Sequence, residues 1–158
     1  MSFVLATSPL ASVGITSLMA YSNGLRFSVI ASLREGPSAA SLAREVVANA
    51  RMARSVSQAP SLRTLYSLRL TFANDIVIDN ARIENGMERE DSSPRLNSLA
   101  ASGGGIRWTW DWFATPLPTP GPITFEIRWP LLELMESQQI EFGDQIRSAA
   151  LRSLRLSR

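Results

Sequence analysis

The residues with the most chemical potential in this chain are two acidic side chains, Asp111 and Glu126, on segments of alternating polarity. Paired carboxylates can serve glycoside hydrolysis or bind hard cations. Arg107 and Arg128 share the same predicted polar face, so cross-strand ion pairs explain both acids without catalysis. We interpret the acids as structural, and a carboxylate-dependent hydrolase is the least favoured of three functional hypotheses.

Missing residue types exclude most other chemistry. Among the 158 residues there is no His and no Cys, and all 16 basic residues are Arg. The chain therefore lacks a Ser-His-Asp triad, a cysteine nucleophile, zinc-finger ligands and disulfides. Without Lys it has no Walker A loop and no Schiff base to pyridoxal phosphate. We predict no catalytic residue, no cofactor and no metal site.

Tryptophans suggest a second hypothesis, a carbohydrate-binding module that stacks sugars on an aromatic face. Apolar side chains alternate with polar ones along two segments, and the apolar positions are Ile106, Trp108, Trp110, Trp112, Ile123, Phe125, Ile127 and Trp129. Such a face is also what one sheet needs in order to pack on another. We predict that it belongs to the core.

The elements that would position these residues are mostly strands. Leu25–Leu33 alternates with period two, which predicts a half-buried strand. Asn23 and Gly24 precede it and favour a tight turn with positive φ, so residues 12–21 are the predicted antiparallel partner. The other predicted strands are Leu65–Ala73 and Ile76–Ile78 around an Asn74-Asp75 turn, residues 106–112 and 123–129 as a third hairpin, and Leu134–Phe142.

Two helices and one long loop complete the prediction. Residues 41–54 have apolar side chains at helical spacing, and a C-terminal helix begins at Gly143 and Asp144. Asn80–Gly105 is rich in charge, Ser and Gly and is predicted as a flexible internal loop. The predicted fold is mainly β: a single domain over residues 1–158, a small antiparallel β-sandwich or open barrel of about six to seven strands.

The second half of the chain carries a resemblance. Gly103-Gly104-Gly105 and Trp112-Phe113 are followed by Pro116-Leu117-Pro118-Thr119-Pro120-Gly121-Pro122 and by Trp129-Pro130. This arrangement resembles an uncharacterised family of small proteins from GC-rich actinobacteria. The resemblance implies a compact β-rich domain and brings no activity.

Our first hypothesis for function is a non-enzymatic interaction or structural module. Four prolines pre-order the crossover Pro116–Pro122, and Phe113 and Leu117 fit no alternating core pattern, so we predict that a protein partner binds at these two side chains. The alternative is that Leu117 and the prolines fold back and cap the sandwich. We do not expect a nucleic-acid partner, and the oligomeric state stays open.

The apolar amino terminus does not predict export. No Arg precedes Arg26, so the cationic region of a signal peptide is missing, and Pro9 and Gly14 interrupt any apolar helix. No other window is long enough for a membrane span. We expect a cytoplasmic protein.

Overall fold

The structure, a computed structural model, describes residues 2–46, 66–80, 94–141 and 143–152. Strands dominate these ranges, and the mainly β prediction is confirmed. The strands are β1 (Phe3–Thr7), β2 (Ala11–Tyr21), β3 (Gly24–Leu33), β4 (Ser67–Phe72), β5 (Val77–Asp79), β6 (Arg95–Gly104), β7 (Arg107–Thr115), β8 (Ile123–Trp129) and β9 (Leu134–Ile140).

The strands form two antiparallel sheets that pack face to face. The first sheet has the order β1-β2-β3-β7-β6 and the second has the order β5-β4-β8-β9. Period-two alternation turns one face of each strand inward, and the inward side chains of both sheets form one core. Phe27 of β3 meets Phe125 of β8 edge to face, with ring centroids 5.4 Å apart.

Two strands were not predicted, β1 and β6, and the predicted loop at 80–105 is wrong for residues 95–104. The alternation along β6 is weak in the sequence because, apart from Leu96, the side chains on its inward face are small. Ser98 pairs with Trp112, Ala101 with Trp110 and Gly103 with Trp108, so small side chains lie beside large indoles. The part of the predicted loop at 81–93 lies outside the described residues.

The predicted third hairpin is also wrong, because β7 and β8 belong to different sheets. β7 pairs with β3 and β6, whereas β8 pairs with β4 and β9. The crossover Pro116–Pro122 passes from one sheet to the other. Their apolar faces therefore meet across the core, where Trp110 and Trp129 lie edge to face at 5.6 Å between ring centroids.

The turn before β3 has a different basis from the one predicted. Neither Asn23 nor Gly24 has a left-handed backbone. A Cβ at Gly24 would lie 2.7 Å from Cζ of Phe113 and 2.4 Å from the Ala114 carbonyl oxygen, so glycine is needed for close approach. The predicted turn at Asn74 and Asp75 does form, and Asp75 adopts a left-handed φ of 60°.

Helices cover little of the described chain. Helix α1 occupies residues 39–46, and the rest of the predicted helix to residue 54 lies outside the described residues. Helix α2 (Gly143–Ala150) confirms the C-terminal prediction and buries Ile146 and Ala150. Pro130–Leu132 form a short 3-10 turn between β8 and β9. None of the helices in the described ranges is long and apolar enough to cross a membrane.

Candidate functional site

The two carboxylates singled out in the sequence, Asp111 and Glu126, do not lie together, because they are on the outer faces of different sheets. Asp111 on β7 accepts a hydrogen bond from the Ser28 hydroxyl at 2.5 Å and one from the Arg26 guanidinium at 3.1 Å. Glu126 on β8 faces Arg69, with the nearest nitrogen and oxygen 3.7 Å apart. The ion-pair interpretation is confirmed, but Arg107 and Arg128 are not the partners.

Both carboxylates are therefore used in pairs with arginine, and neither faces the other. The described residues contain no group of three or more acidic side chains that could hold a metal ion. The sequence missed the true partners because Arg26 and Arg69 lie on strands whose pairing depends on the topology, and alternation alone does not give the topology.

The tryptophan face lies in the core, as predicted. Trp108, Trp110, Trp112 and Trp129 are between 1% and 9% exposed. Ile106 departs from the prediction: it lies in the turn between β6 and β7 and is 39% exposed. With their ring faces packed against other core side chains, the indoles offer no open platform on which a sugar could stack.

Tyr66, which the sequence did not single out, lies at the centre of this aromatic cluster. Its ring centroid is 5.1 Å from that of Trp129 and 5.4 Å from that of Trp110. Burial raises the pKa of the Tyr66 phenol, and the side chain of Trp112 offsets part of that shift. Within the described part of the chain, the Tyr66 hydroxyl and the Trp112 and Trp129 indole N–H groups have no hydrogen bond of regular geometry.

The predicted partner-binding side chains are both engaged within the fold. Phe113 lies on the outer face of the first sheet, is only 7% exposed, and meets the Tyr21 ring edge to face at 6.0 Å. Leu117 is half-buried and packs against the core. The packing of Leu117 favours the alternative in which the crossover caps one end of the sandwich, and partner binding at these residues stays a prediction.

Among the residues that the structure describes, strand β9 lies at the edge of its sheet and has backbone groups without a hydrogen-bond partner. Leu68 N–H donates to the Asn80 side chain and the Leu68 carbonyl accepts from Asn80 N–H, so the backbone of residue 68 points away from β8. In an antiparallel ladder the direction alternates at each residue. The register of β4 with β8 and that of β8 with β9 are both unbroken, as the pairs Thr71–Thr124 and Phe125–Gln138 illustrate. The alternation can therefore be followed from Leu68 across β8 to β9.

Three residues of β9 consequently point their N–H and C=O groups away from the sheet: Met135, Ser137 and Gln139. No hydrogen bond to these groups is formed by any residue in the ranges that the structure describes. All three residues are exposed, and the Met135 side chain is 69% exposed. We call these backbone groups the β9 edge.

The other sheet edges are shorter or irregular. The pairing of β1 shifts between Val4 and Ala6, and that of β6 shifts between Ser98 and Ala100. Strand β5 has only three residues. Bulges and short edge strands are the usual protection against unwanted pairing. The strand β9 has neither, since its seven residues keep an unbroken register with β8.

The side chains of β9 add little further protection. Residues 134–140 contain no Pro, Lys or Arg, and their one charged side chain is Glu136. The sequence did predict a strand here. It could not show that the strand lies at an edge, because that depends on which strands pair with β8.

Comparisons with protein-family models, curated proteins and solved structures find no match to this chain. The resemblance to an uncharacterised actinobacterial family therefore stays a prediction.

Proposed function

We propose that this protein is a non-catalytic interaction module that binds another polypeptide through the β9 edge. One observation carries the proposal: Met135, Ser137 and Gln139 direct backbone donors and acceptors outward from a regular, exposed strand. An extended peptide that aligns with such a strand gains main-chain hydrogen bonds and continues the sheet.

The composition supports a role without catalysis. The chain has no His, Cys or Lys, and Asp111 and Glu126 are occupied in ion pairs with arginine. Binding through main-chain groups requires none of the missing residue types. A protein partner and a cytoplasmic location are part of this proposal.

A selection from a phage-displayed library of random linear peptides tests the proposal. Dilute wild-type protein should enrich peptides rich in β-branched and aromatic residues, because these fit an extended strand. Binding should be lost in Ser137→Pro, since proline removes an N–H that points outward and is not needed within the sheet.

Two control variants separate edge binding from loss of the fold. Thr71→Lys adds a charge on the outer face of the same sheet but two strands away from the β9 edge, and it should bind the peptides normally. Ser137→Pro should keep the wild-type circular dichroism spectrum. Enriched peptides that bind Ser137→Pro as well as wild type, or a selection that enriches none, would rule out the proposal.

A further inference from the structure

We propose that the polypeptide bound at the β9 edge is a basic segment, which lies extended along β9 with an Arg or Lys side chain opposite Glu136. This inference rests on the proposed function and adds the chemistry of the partner. The segment would become a fifth strand of the second sheet, beyond β9.

Acidic side chains line the β9 edge without a balancing cation. Glu136 lies in the middle of β9, Glu133 and Glu141 flank the strand at its two ends, and all three are exposed. Residues 131–146 contain no Arg, and Asp144 adds a fourth acid. In the described part of the chain, none of the three glutamates forms an ion pair with an arginine. The edge from residue 133 to residue 141 is therefore negatively charged over roughly 26 Å, at about 3.3 Å per residue.

Glu136 is the acid that a strand added at the edge would meet most directly. It lies on the inward face of β9 beside Ile127 of β8, and across the sandwich β9 contacts β1, whose residues carry no charge. The arginine of β8, Arg128, lies beside Met135 on the outer face. Among the described residues, the inward-face neighbours of Glu136 thus provide no cation, and a partner strand can supply one.

Antiparallel pairing determines how closely the partner's side chain approaches Glu136. Met135, Ser137 and Gln139 direct their backbone groups outward and would exchange hydrogen bonds with the partner, so Glu136 falls in a non-hydrogen-bonded pair. Side chains lie closest together in such pairs, where opposite charges stabilise the ladder and like charges destabilise it. An Arg or Lys at this one position of the partner therefore pairs with the carboxylate.

The same charges disfavour two other occupants of the edge. Two copies of β9 paired antiparallel about Ser137 would place Glu133 of one copy opposite Glu141 of the other, at both ends of the ladder. An acidic segment would meet repulsion along the whole edge. Because like charges directly opposite each other are destabilising, the glutamates reject these partners and leave a basic segment as the one that fits.

The charge of selected peptides is the first test. A phage-displayed library of random linear peptides, selected at low salt on the full wild-type chain, should enrich sequences with more Arg and Lys than the unselected library. Synthetic peptides with the enriched sequences should bind more weakly as the salt concentration rises, measured by fluorescence anisotropy. Enriched sequences that are no richer in Arg and Lys than the unselected library would overturn the inference.

Neutral variants of the protein locate the ion pair. Glu136→Gln should raise the dissociation constant of an enriched basic peptide by about two- to fivefold, because one cross-strand ion pair is lost. Asp75→Asn is the matched control: it also removes one acidic charge, but in the turn between β4 and β5, on the far side of the same sheet. It should bind like wild type. Equal weakening in both variants would mean attraction to the overall charge only and would overturn pairing at the edge.

A charge swap tests the contact itself. Glu136→Arg should weaken binding of the basic peptide by about tenfold or more, because two like charges then face each other. Replacing the peptide's basic residues with Glu one at a time should restore binding to this variant at a single position, the one opposite residue 136. Glu136 is exposed, so both of its variants should keep the wild-type circular dichroism spectrum. If no single replacement restores binding, the proposed pair is wrong.

The two proposals fail separately. If the enriched peptides lose binding in Ser137→Pro but are not basic, the chemistry of the partner is wrong and the proposed function stands. If no enriched peptide depends on Ser137, both fail.

Discussion

Among single residues, the two acidic side chains that first suggested chemistry differ in what they stabilise. Asp111 satisfies the buried Ser28 hydroxyl and pairs with Arg26, which is 35% exposed. Glu126 and Arg69 are each 45% exposed and lie 3.7 Å apart. A partly buried hydrogen-bonded carboxylate is worth more than an exposed ion pair, because losing it leaves a buried polar group without a partner.

Asp111→Ala should lower the free energy of unfolding by about 1–3 kcal/mol, because it leaves the Ser28 hydroxyl unsatisfied. Glu126→Ala is the matched control and should cost about 0–1 kcal/mol. Urea denaturation followed by circular dichroism measures both values. Equal losses in the two variants would contradict the inference that Asp111 stabilises the fold more than Glu126 does.

Particular residues show which features of the structure can be predicted from the sequence and which cannot. Alternation places Phe27 and Trp110 inside because polarity along one strand is a local property. The partner of Asp111 and the exposure of Ser137 depend on which strands become neighbours. That choice is made by packing between distant segments, so the strand at residues 134–140 was predicted and its edge was not.

Among the elements, the proline-rich crossover Pro116–Pro122 connects the two sheets. Phe113 fills the space above Gly24, and Leu117 packs on the core. The sequence could show that these two side chains fall outside the alternating core. It could not show whether they face solvent or fold back, because the direction of a crossover between sheets is not a local property.

Replacing Phe113 and Leu117 together with Ser distinguishes capping from recognition. Because both side chains are packed, we expect a loss of about 2–5 kcal/mol of stability, measured by thermal and urea denaturation. Leu99→Ser, at an exposed position of β6, is the matched control and should change stability little. A double variant as stable as wild type would contradict capping and would support recognition at the crossover.

At the scale of the whole molecule, the aromatic cluster links stability to pH. Burial raises the pKa of the Tyr66 phenol above its ordinary value near 10. Above that ordinary value an unfolded chain releases the phenolic proton while the folded chain keeps it. The linked stability is therefore complete below about pH 10 and is lost as the pH rises further.

The variant Tyr21→Phe isolates this effect, because the chain has only two tyrosines. On raising the pH, tyrosinate absorbance should appear together with the loss of the circular dichroism signal, since Tyr66 ionises when the fold opens. The variant Tyr66→Phe in the same background should unfold at higher pH. Ionisation of Tyr66 well before unfolding would contradict its placement in the core.

The ladder between β3 and β7 has a consequence for how quickly the chain reaches its native state. The hairpins β2–β3 and β8–β9 join segments close in sequence, but the β3–β7 ladder pairs Leu25 with Ala114 and needs a long loop to close first. Contacts of such sequence separation slow folding, so we expect milliseconds to seconds, as is typical of β-sandwiches. Until that ladder closes, the edges of β3 and β7 that will pair with each other are as accessible to other strands as the edge of β9. Pairing with the wrong strand is most damaging at that stage, while the chain is being synthesised among many other proteins.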